Sequence, residues 1–278
     1  MSEGAAWGRS VRIVGDVRDA LVWMATGAAM TLAPVAALAG AWTAPEGTGV
    51  AILSLQAGEG DYNGKTGPGA ARETEIEPSL YAEYGLNDRL TALVSGGFKD
   101  YAIDAPVDDA YRGADYAAAG LRARLFSSQS LVWSVQATAM APGARDATRP
   151  AQAGNTGFDS DWRALFGANF TLAGRPSFAE ASLGYRTRAG GPPDEWRADF
   201  TLGVRLRPDL ALMAQSFSVF SRGAGSPAFP AEQSTTIQPS LVYDFDSRWS
   251  AQLGCYATVN ALNADRNRGV IVALWRRF

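Results

Sequence analysis

The sequence predicts an all-β protein: a transmembrane antiparallel up-and-down β-barrel of about 12 strands, after a cleaved signal peptide. Three observations lead to this fold class. Apolar and polar residues alternate with period two along most of the chain, short and long connections alternate between these segments, and one long apolar run lies near the N-terminus. Charged residues make up 19% of the chain, below the ~25% that is usual in soluble domains.

The composition excludes several classes of protein. The 278 residues contain no histidine and only one cysteine, Cys255, so His-dependent catalysis, a disulfide framework and a cysteine zinc site are all ruled out. The balance of 25 basic and 28 acidic residues offers no basic surface for nucleic acid. A mean hydropathy of −0.09 excludes a bundle of membrane helices. It does not exclude a barrel, because the apolar and polar residues that alternate along barrel strands cancel in the average.

The N-terminal region has the features of an export signal. Arginines precede the uncharged run Ala20–Ala41, Pro34 interrupts that run, and Ala37–Ala39 forms a small-x-small cleavage motif. We therefore expect residues 1–39 to be a signal peptide and residues 40–278 to be the barrel. A retained membrane anchor is the alternative.

The segment Arg72–Leu86 shows the alternation most clearly. Its even positions are mainly apolar and its odd positions are mainly acidic, which gives a strand one apolar and one charged face. Further strands with the same alternation are expected at Leu90–Phe98, Leu131–Ala139, Asp161–Phe170, Ala179–Arg186, Trp196–Leu206, Thr236–Tyr243 and Trp249–Cys255, and weaker ones at Val50–Gln56, Tyr116–Phe126, Leu210–Phe220 and Arg268–Phe278.

The connections between these strands are alternately short and long, as in bacterial outer-membrane barrels. The expected short turns are Asn87–Asp88, Ser127–Ser130, Thr171–Pro176, Arg207–Asp209 and Phe245–Ser247; the expected long loops are Ala57–Ala71, Asp100–Asp115, Ala141–Ser160, Ala189–Glu195, Ser221–Gln233 and Val259–Asn267. An exported soluble β-sandwich is the alternative fold, but the charged faces of these strands would make a poor sandwich core.

Aromatic residues gather near the expected strand ends and predict two interfacial girdles. Those on the short-turn side are Tyr84, Phe126, Trp133, Phe170, Tyr243, Trp249 and Phe278, and those on the long-loop side are Phe98, Tyr101, Trp162, Tyr185, Trp196 and Phe220. The terminal Phe278 resembles the C-terminal signal that the outer-membrane barrel assembly machinery recognises, although Arg276 departs from it. The expected partners are therefore outer-membrane lipid and that machinery.

Three segments carry a family resemblance. The strings at residues 41–47 (AWTAPEG), 76–97 (IEPSLYAEYGLNDRLTALVSGG) and 274–278 (LWRRF) resemble exported proteins named for the meta-pathway of phenol degradation. The resemblance implies an outer-membrane barrel of a kind that is often called a transporter, with no catalytic residues to carry over. Similar barrels also occur near genes for exopolysaccharide production.

Charged residues on the non-apolar strand faces are the main functional lead. Acidic residues gather on Arg72–Leu86 and arginines on the strands from Tyr116 to Leu206, so opposed charged walls would orient polar solutes in a lumen. The predicted lumen-lining residues are Glu75, Glu77, Glu83, Arg89, Lys99, Arg122, Arg124, Arg163, Glu180, Arg186, Arg197, Asp199 and Arg205. The same groups could instead pair with one another and plug a narrow interior.

Two functions from different classes follow. The first is a passive channel for small, aromatic or hydrophobic molecules, whose solute the sequence does not identify. The second is a non-transporting structural or accessory barrel, for example one that serves surface polysaccharide production. We expect no enzyme activity, cofactor or metal, because barrel enzymes of the outer membrane depend on a histidine that this chain lacks.

Overall fold

A computed structural model describes residues 40–64, 70–143, 146, 148–152, 157–226 and 229–278. The predicted signal peptide, residues 1–39, lies outside the described residues, so its cleavage stays a prediction. Within the described ranges, no helix has the length and apolar character needed to cross a membrane.

Twelve strands form one closed antiparallel barrel in which each strand pairs with its neighbours in the chain and β1 pairs with β12. The predicted fold class and strand number are confirmed. The strands are β1 (Gly49–Asp61), β2 (Arg72–Asn87), β3 (Leu90–Ile103), β4 (Asp109–Ser127), β5 (Leu131–Pro142), β6 (Asp159–Leu172), β7 (Arg175–Arg188), β8 (Glu195–Arg207), β9 (Leu210–Ser221), β10 (Gln233–Asp244), β11 (Trp249–Leu262) and β12 (Arg266–Arg277).

The two faces of every strand differ, because successive side chains point to opposite sides of the sheet. The outer face carries large apolar side chains that remain more than a third exposed. One such residue from each strand, in chain order, is Leu53, Leu80, Val94, Leu121, Val135, Phe166, Leu183, Phe200, Leu212, Leu241, Leu253 and Val272. A continuous apolar exterior of this extent is typical of a barrel surrounded by lipid.

The two ends of the barrel differ in the length of their connections. At the end called the lower end here, the strands are joined by the short turns at 88–89, 128–130, 173–174, 208–209 and 245–248. The opposite, upper end carries the connections at 62–71, 104–108, 143–158, 189–194, 222–232 and 263–265. In outer-membrane barrels the short turns face the periplasm.

Several upper connections are shorter than expected. The loops predicted at Asp100–Asp115 and Val259–Asn267 shrink to 104–108 and 263–265, because the adjoining strands extend further. In particular, β4 begins at Asp109 rather than at Tyr116. In β4 the pairing with β3 shifts register between Gly97–Tyr116 and Phe98–Ala114, so the alternation is interrupted at Asp115.

The exterior aromatics follow the predicted girdles with one exception. Trp133 stacks on Phe166 with ring centroids 5.6 Å apart. At the seam between first and last strands, Tyr84 stacks on Phe278, while the backbone of Phe278 exchanges two hydrogen bonds with Gly49. Tyr101 was placed in the upper girdle wrongly: its side chain points inward and is buried, since odd-numbered residues of β3 face the interior.

Candidate functional site

The barrel encloses a cavity of ≈ 1000 Å³ to which all twelve strands contribute lining residues. The lining is mostly polar or charged, as expected for the inward faces of strands whose outward faces are apolar. Apolar side chains, among them Phe178, Met213, Phe217 and Trp275, interrupt this polar wall.

A segment that precedes β1 folds into the lower end of the lumen. This inner segment, Gly40–Thr48, is held by hydrogen bonds with β3, β5 and the turn between β2 and β3. Ser134 Oγ donates to the carbonyl oxygen of Ala41 at 2.5 Å, the N–H of Ala44 donates to Thr91 Oγ1 at 2.9 Å, and Thr43 Oγ1 donates to the carbonyl oxygen of Asp88 at 3.2 Å. Ala41 and Ala44 are fully buried as a result.

Trp42 anchors the inner segment through apolar contacts. It packs with Val132 and Leu165 and meets the ring of Phe178 edge to face, at 6.2 Å between centroids. Gly167 leaves the space for the indole, because a Cβ at this position would lie 2.6 Å from Trp42 Cη2. The inner segment is therefore a fitted part of the lumen and covers its lower end on the β2–β7 side.

A buried ion pair lies beside the inner segment. Arg122 Nη1 and Glu83 Oε2 are 3.0 Å apart, and their side chains are 3% and 0% exposed. The same guanidinium donates to the carbonyl oxygen of Trp42 at 2.9 Å and to Tyr81 OH at 3.1 Å. A buried charge needs such partners, so the pair fixes both strands and the inner segment.

The other half of the lower end is filled by side chains of β8–β12. Trp275 packs against Met213 and Val242. Asp244 accepts from Arg205 at 2.5 Å and from Arg277 at 3.3 Å. Together with the inner segment, these groups narrow the lumen at its lower end.

Above this narrow level, the β6–β8 wall is rich in paired charges. Asp161 contacts Arg163 at 2.6 Å and Arg186 at 3.4 Å, while Arg163 reaches on to Asp199. Glu195 pairs with Arg188 at 2.6 Å. This wall carries most of the arginines of the lumen.

The wall formed by β2 and β3, three to six strands away round the ring, is mainly acidic. Lys99 lies 2.9 Å from Glu77 and 3.6 Å from Glu75. Glu75 also accepts a hydrogen bond from Tyr256 OH at 3.0 Å. On β6–β8, by contrast, the arginines are paired with carboxylates of the same wall, so that wall is not purely basic as the sequence suggested.

The carboxyl group of Glu73 is buried at the upper end of the barrel. Glu73 is 1% exposed, accepts a hydrogen bond from Tyr101 OH, and shares that hydroxyl with Asp265 at 3.3 Å. It lies beside Arg72, whose exposed side chain pairs with Glu59 at 3.5 Å, and three residues beyond the exposed Ile76, so it lies outside the apolar exterior. Burial, and next the charge of Asp265, raise the pKa of Glu73 to about 8.

Most of the predicted lumen residues point into the barrel. The residues that line the cavity are Glu75, Arg122, Arg163, Glu180, Arg186, Arg197, Asp199 and Arg205. Glu77, Glu83 and Lys99 form the inward ion pairs given above, and Arg124 is half-buried near the lower end of β4. Arg89 was assigned to the lumen wrongly: it is exposed in the turn between β2 and β3, where strand parity no longer determines direction.

Sequence reasoning missed several lumen groups. Arg188, Glu195 and Asp244 lie one or two residues beyond the predicted ends of their strands, so extending those strands with the same parity would have found them. Arg277 lies within the predicted last strand and follows its inward parity. The inner segment carried no periodic signal that could have placed it in the lumen. In the described part of the chain, no group of three acidic or cysteine side chains is arranged to hold a metal ion.

Comparison with known proteins identifies the family. The sequence profile of the family described as "Putative MetA-pathway of phenol degradation" matches residues 120–278, more than half of the chain. The chain belongs to this family. No curated protein matches it in sequence.

Solved structures with a similar fold are outer-membrane barrels. An outer membrane channel from Pseudomonas putida F1 superposes on this phenol-degradation family member with a TM-score of 0.69 at 13% identity, covering 86% of this chain and 98% of that chain. The translocator domain of the autotransporter NalP from Neisseria meningitidis gives a TM-score of 0.49 at 11% identity, covering 84% and 90% of the two chains. The first comparison supports the outer-membrane barrel fold.

Proposed function

We propose that the protein is a passive channel of the bacterial outer membrane that admits small molecules and catalyses no reaction. The observation that carries this proposal is the cavity of ≈ 1000 Å³, lined by all twelve strands of a barrel whose exterior is apolar. The fold shared with an outer membrane channel supports it. Phe278, at the closing seam, is the proposed docking residue for the barrel assembly machinery.

The lining supports small solutes that combine polar and apolar parts. Charged groups on both walls can contact the polar part of a solute, while Phe178, Phe217 and Trp275 offer apolar surface. A family description that names phenol degradation favours aromatic solutes among these. The proposed lumen-lining residues are the predicted ones that line the cavity or form the inward ion pairs described above. Arg89 is not among them.

One observation favours the second candidate, a structural or accessory barrel. The inner segment and the Arg205–Asp244–Arg277 cluster narrow the lower end of the lumen. If this closure is permanent, no solute would pass, and the barrel would serve another purpose such as surface polysaccharide production.

Liposome swelling distinguishes the two candidates. Refolded protein is inserted into vesicles, and swelling is followed in isotonic solutions of uncharged solutes of graded size. A channel narrowed at its lower end is expected to admit the smallest solutes and to admit larger ones progressively less. Heat-modifiable migration on gels serves as the control for folding. A folded barrel that admits no solute of any size would refute the channel and leave the accessory role.

A further inference from the structure

Of the arginines that line the cavity, Arg197 lacks the close partners that the others have. The nearest carboxylate oxygen to Arg197 belongs to Glu195 and lies 3.9 Å from Arg197 Nε. The other oxygen of that carboxylate already accepts a hydrogen bond from Arg188 at 2.6 Å. Within the part of the chain that the structure describes, no hydrogen bond from the Arg197 guanidinium is found, although it lines the cavity.

Other arginines surround this position. Gly184 on β7 is the cross-strand partner of both Arg163 on β6 and Arg197 on β8. The two arginines therefore flank a residue that has no side chain. Arg186 is on the same wall, and Arg163 and Arg186 both form ion pairs with Asp161. Asp161 and Asp199 balance the charges of Arg163 and Arg186, so the free donors of Arg197 are the groups that an anion would bind.

Apolar surface adjoins the same arginine. Val219 is the direct cross-strand partner of Arg197, and Phe217 is the partner of Asp199, two residues along β8. Diagonal neighbours on one sheet face lie about 7–8 Å apart, within reach of aromatic and long side chains. Phe217 lines the cavity and is 36% exposed there, so its ring is open to a solute in the lumen.

We propose that Arg197 and Phe217 form a binding subsite for small organic anions with an apolar body, such as aromatic carboxylates. The guanidinium fork of Arg197 binds the carboxylate, for which two parallel N–H donors are well suited. The ring of the solute packs on Phe217. The side chain of Arg163 lies over Gly184, since a Cβ at Gly184 would be 3.0 Å from Arg163 Cγ, so Arg163 borders the subsite beside Arg197. This inference rests on the proposed function and names a solute class for the same lumen.

Arg205 provides a matched control on the same strand. It also lines the cavity, but its guanidinium lies 2.5 Å from Asp244, at the lower end. Replacing it leaves Asp244 with its second partner, Arg277. An effect that is specific to Arg197 therefore cannot be attributed to the removal of a positive charge from the lumen in general.

The test measures binding of 4-fluorobenzoate to the refolded barrel in nonionic detergent by ¹⁹F NMR at pH 7. Wild type is expected to show saturable binding, and Arg197→Gln to weaken it about tenfold, the loss typical of a charge-assisted hydrogen bond. Arg205→Gln is expected to stay within about twofold of wild type. Neutral 4-fluorobenzamide should bind without dependence on Arg197. Phe217→Ala should weaken 4-fluorobenzoate but not trifluoroacetate, which has no ring.

Several outcomes would overturn the subsite. The proposal is wrong if folded wild type shows no saturable binding, or if Arg197→Gln binds 4-fluorobenzoate as tightly as wild type. It is also wrong if Arg197→Gln and Arg205→Gln lose the same amount of affinity. If Arg197→Gln does not fold, Arg197→Lys keeps the charge but loses the fork and should still weaken binding several-fold. Liposome swelling is measured on the same proteins. A barrel that admits solutes but binds no fluorobenzoate overturns only this inference, and one that binds but admits nothing overturns only the channel.

Discussion

Replacing Arg122 with glutamine tests how the lower end of the lumen is held together. The substitution leaves the fully buried Glu83 without its cation. Breaking a buried pair by removing one partner costs about 3–5 kcal/mol, because the remaining charge is uncompensated. The carbonyl oxygen of Trp42 also loses its donor, which costs about 1–3 kcal/mol if that group stays buried. Partial overlap between these effects leads us to expect a total loss near 4 kcal/mol.

The assay is a urea titration of folding into lipid vesicles, with Glu83→Gln and the double variant beside Arg122→Gln. The double variant is expected to recover most of the loss, because it buries no unpaired charge. A loss below about 1 kcal/mol in Arg122→Gln would refute the reasoning. So would a double variant as unstable as the single one, since the ion pair could then not be the cause.

Three further predictions concern the exterior, the upper end and assembly. Leu202→Arg, on the outward face of β8, should cost about 2–4 kcal/mol near mid-membrane, whereas inward Thr201→Arg should cost much less; equal costs in vesicle titrations would contradict the facing of β8. Because burial raises the pKa of Glu73 to about 8 from its usual 4.5, the unfolded state loses this proton first, and stability should fall as pH rises from about 5 to about 8. Glu73→Gln should remove that slope from urea titrations at pH 6 and pH 9, and an unchanged slope would disprove this role of Glu73. Deleting Phe278 should lower the amount of heat-modifiable barrel in outer-membrane fractions, and unchanged amounts would argue against its docking role.

The sequence was most informative about the strands, because a barrel wall imposes period two on every membrane-crossing segment. The alternation in Arg72–Leu86 predicted β2 to within one residue of its observed end and assigned Glu75 and Glu83 to the interior. Parity failed where the backbone turns, as at Arg89, and where the strand pairing shifts register, as near the start of β4.

The pairing of lumen charges could not be read from the sequence. Arg122 and Glu83 are 39 residues apart and on strands separated by β3; their contact depends on strand register and on how far each side chain reaches across the lumen. The inner segment was unpredictable for a similar reason. Its partners Thr91 and Ser134 are 47 and 93 residues from the residues they bond, and no local pattern encodes that contact.

The most direct test of the central claim is the single-channel conductance of the refolded barrel, residues 40–278, compared with its Trp42→Ala variant in potassium chloride. Trp42 anchors the inner segment that narrows the lower end, so its truncation should free the segment and widen the passage. A channel narrowed in this way predicts small but measurable steps for wild type and clearly larger steps for Trp42→Ala. Folded protein of both kinds that inserts into the bilayer without conducting would contradict the account.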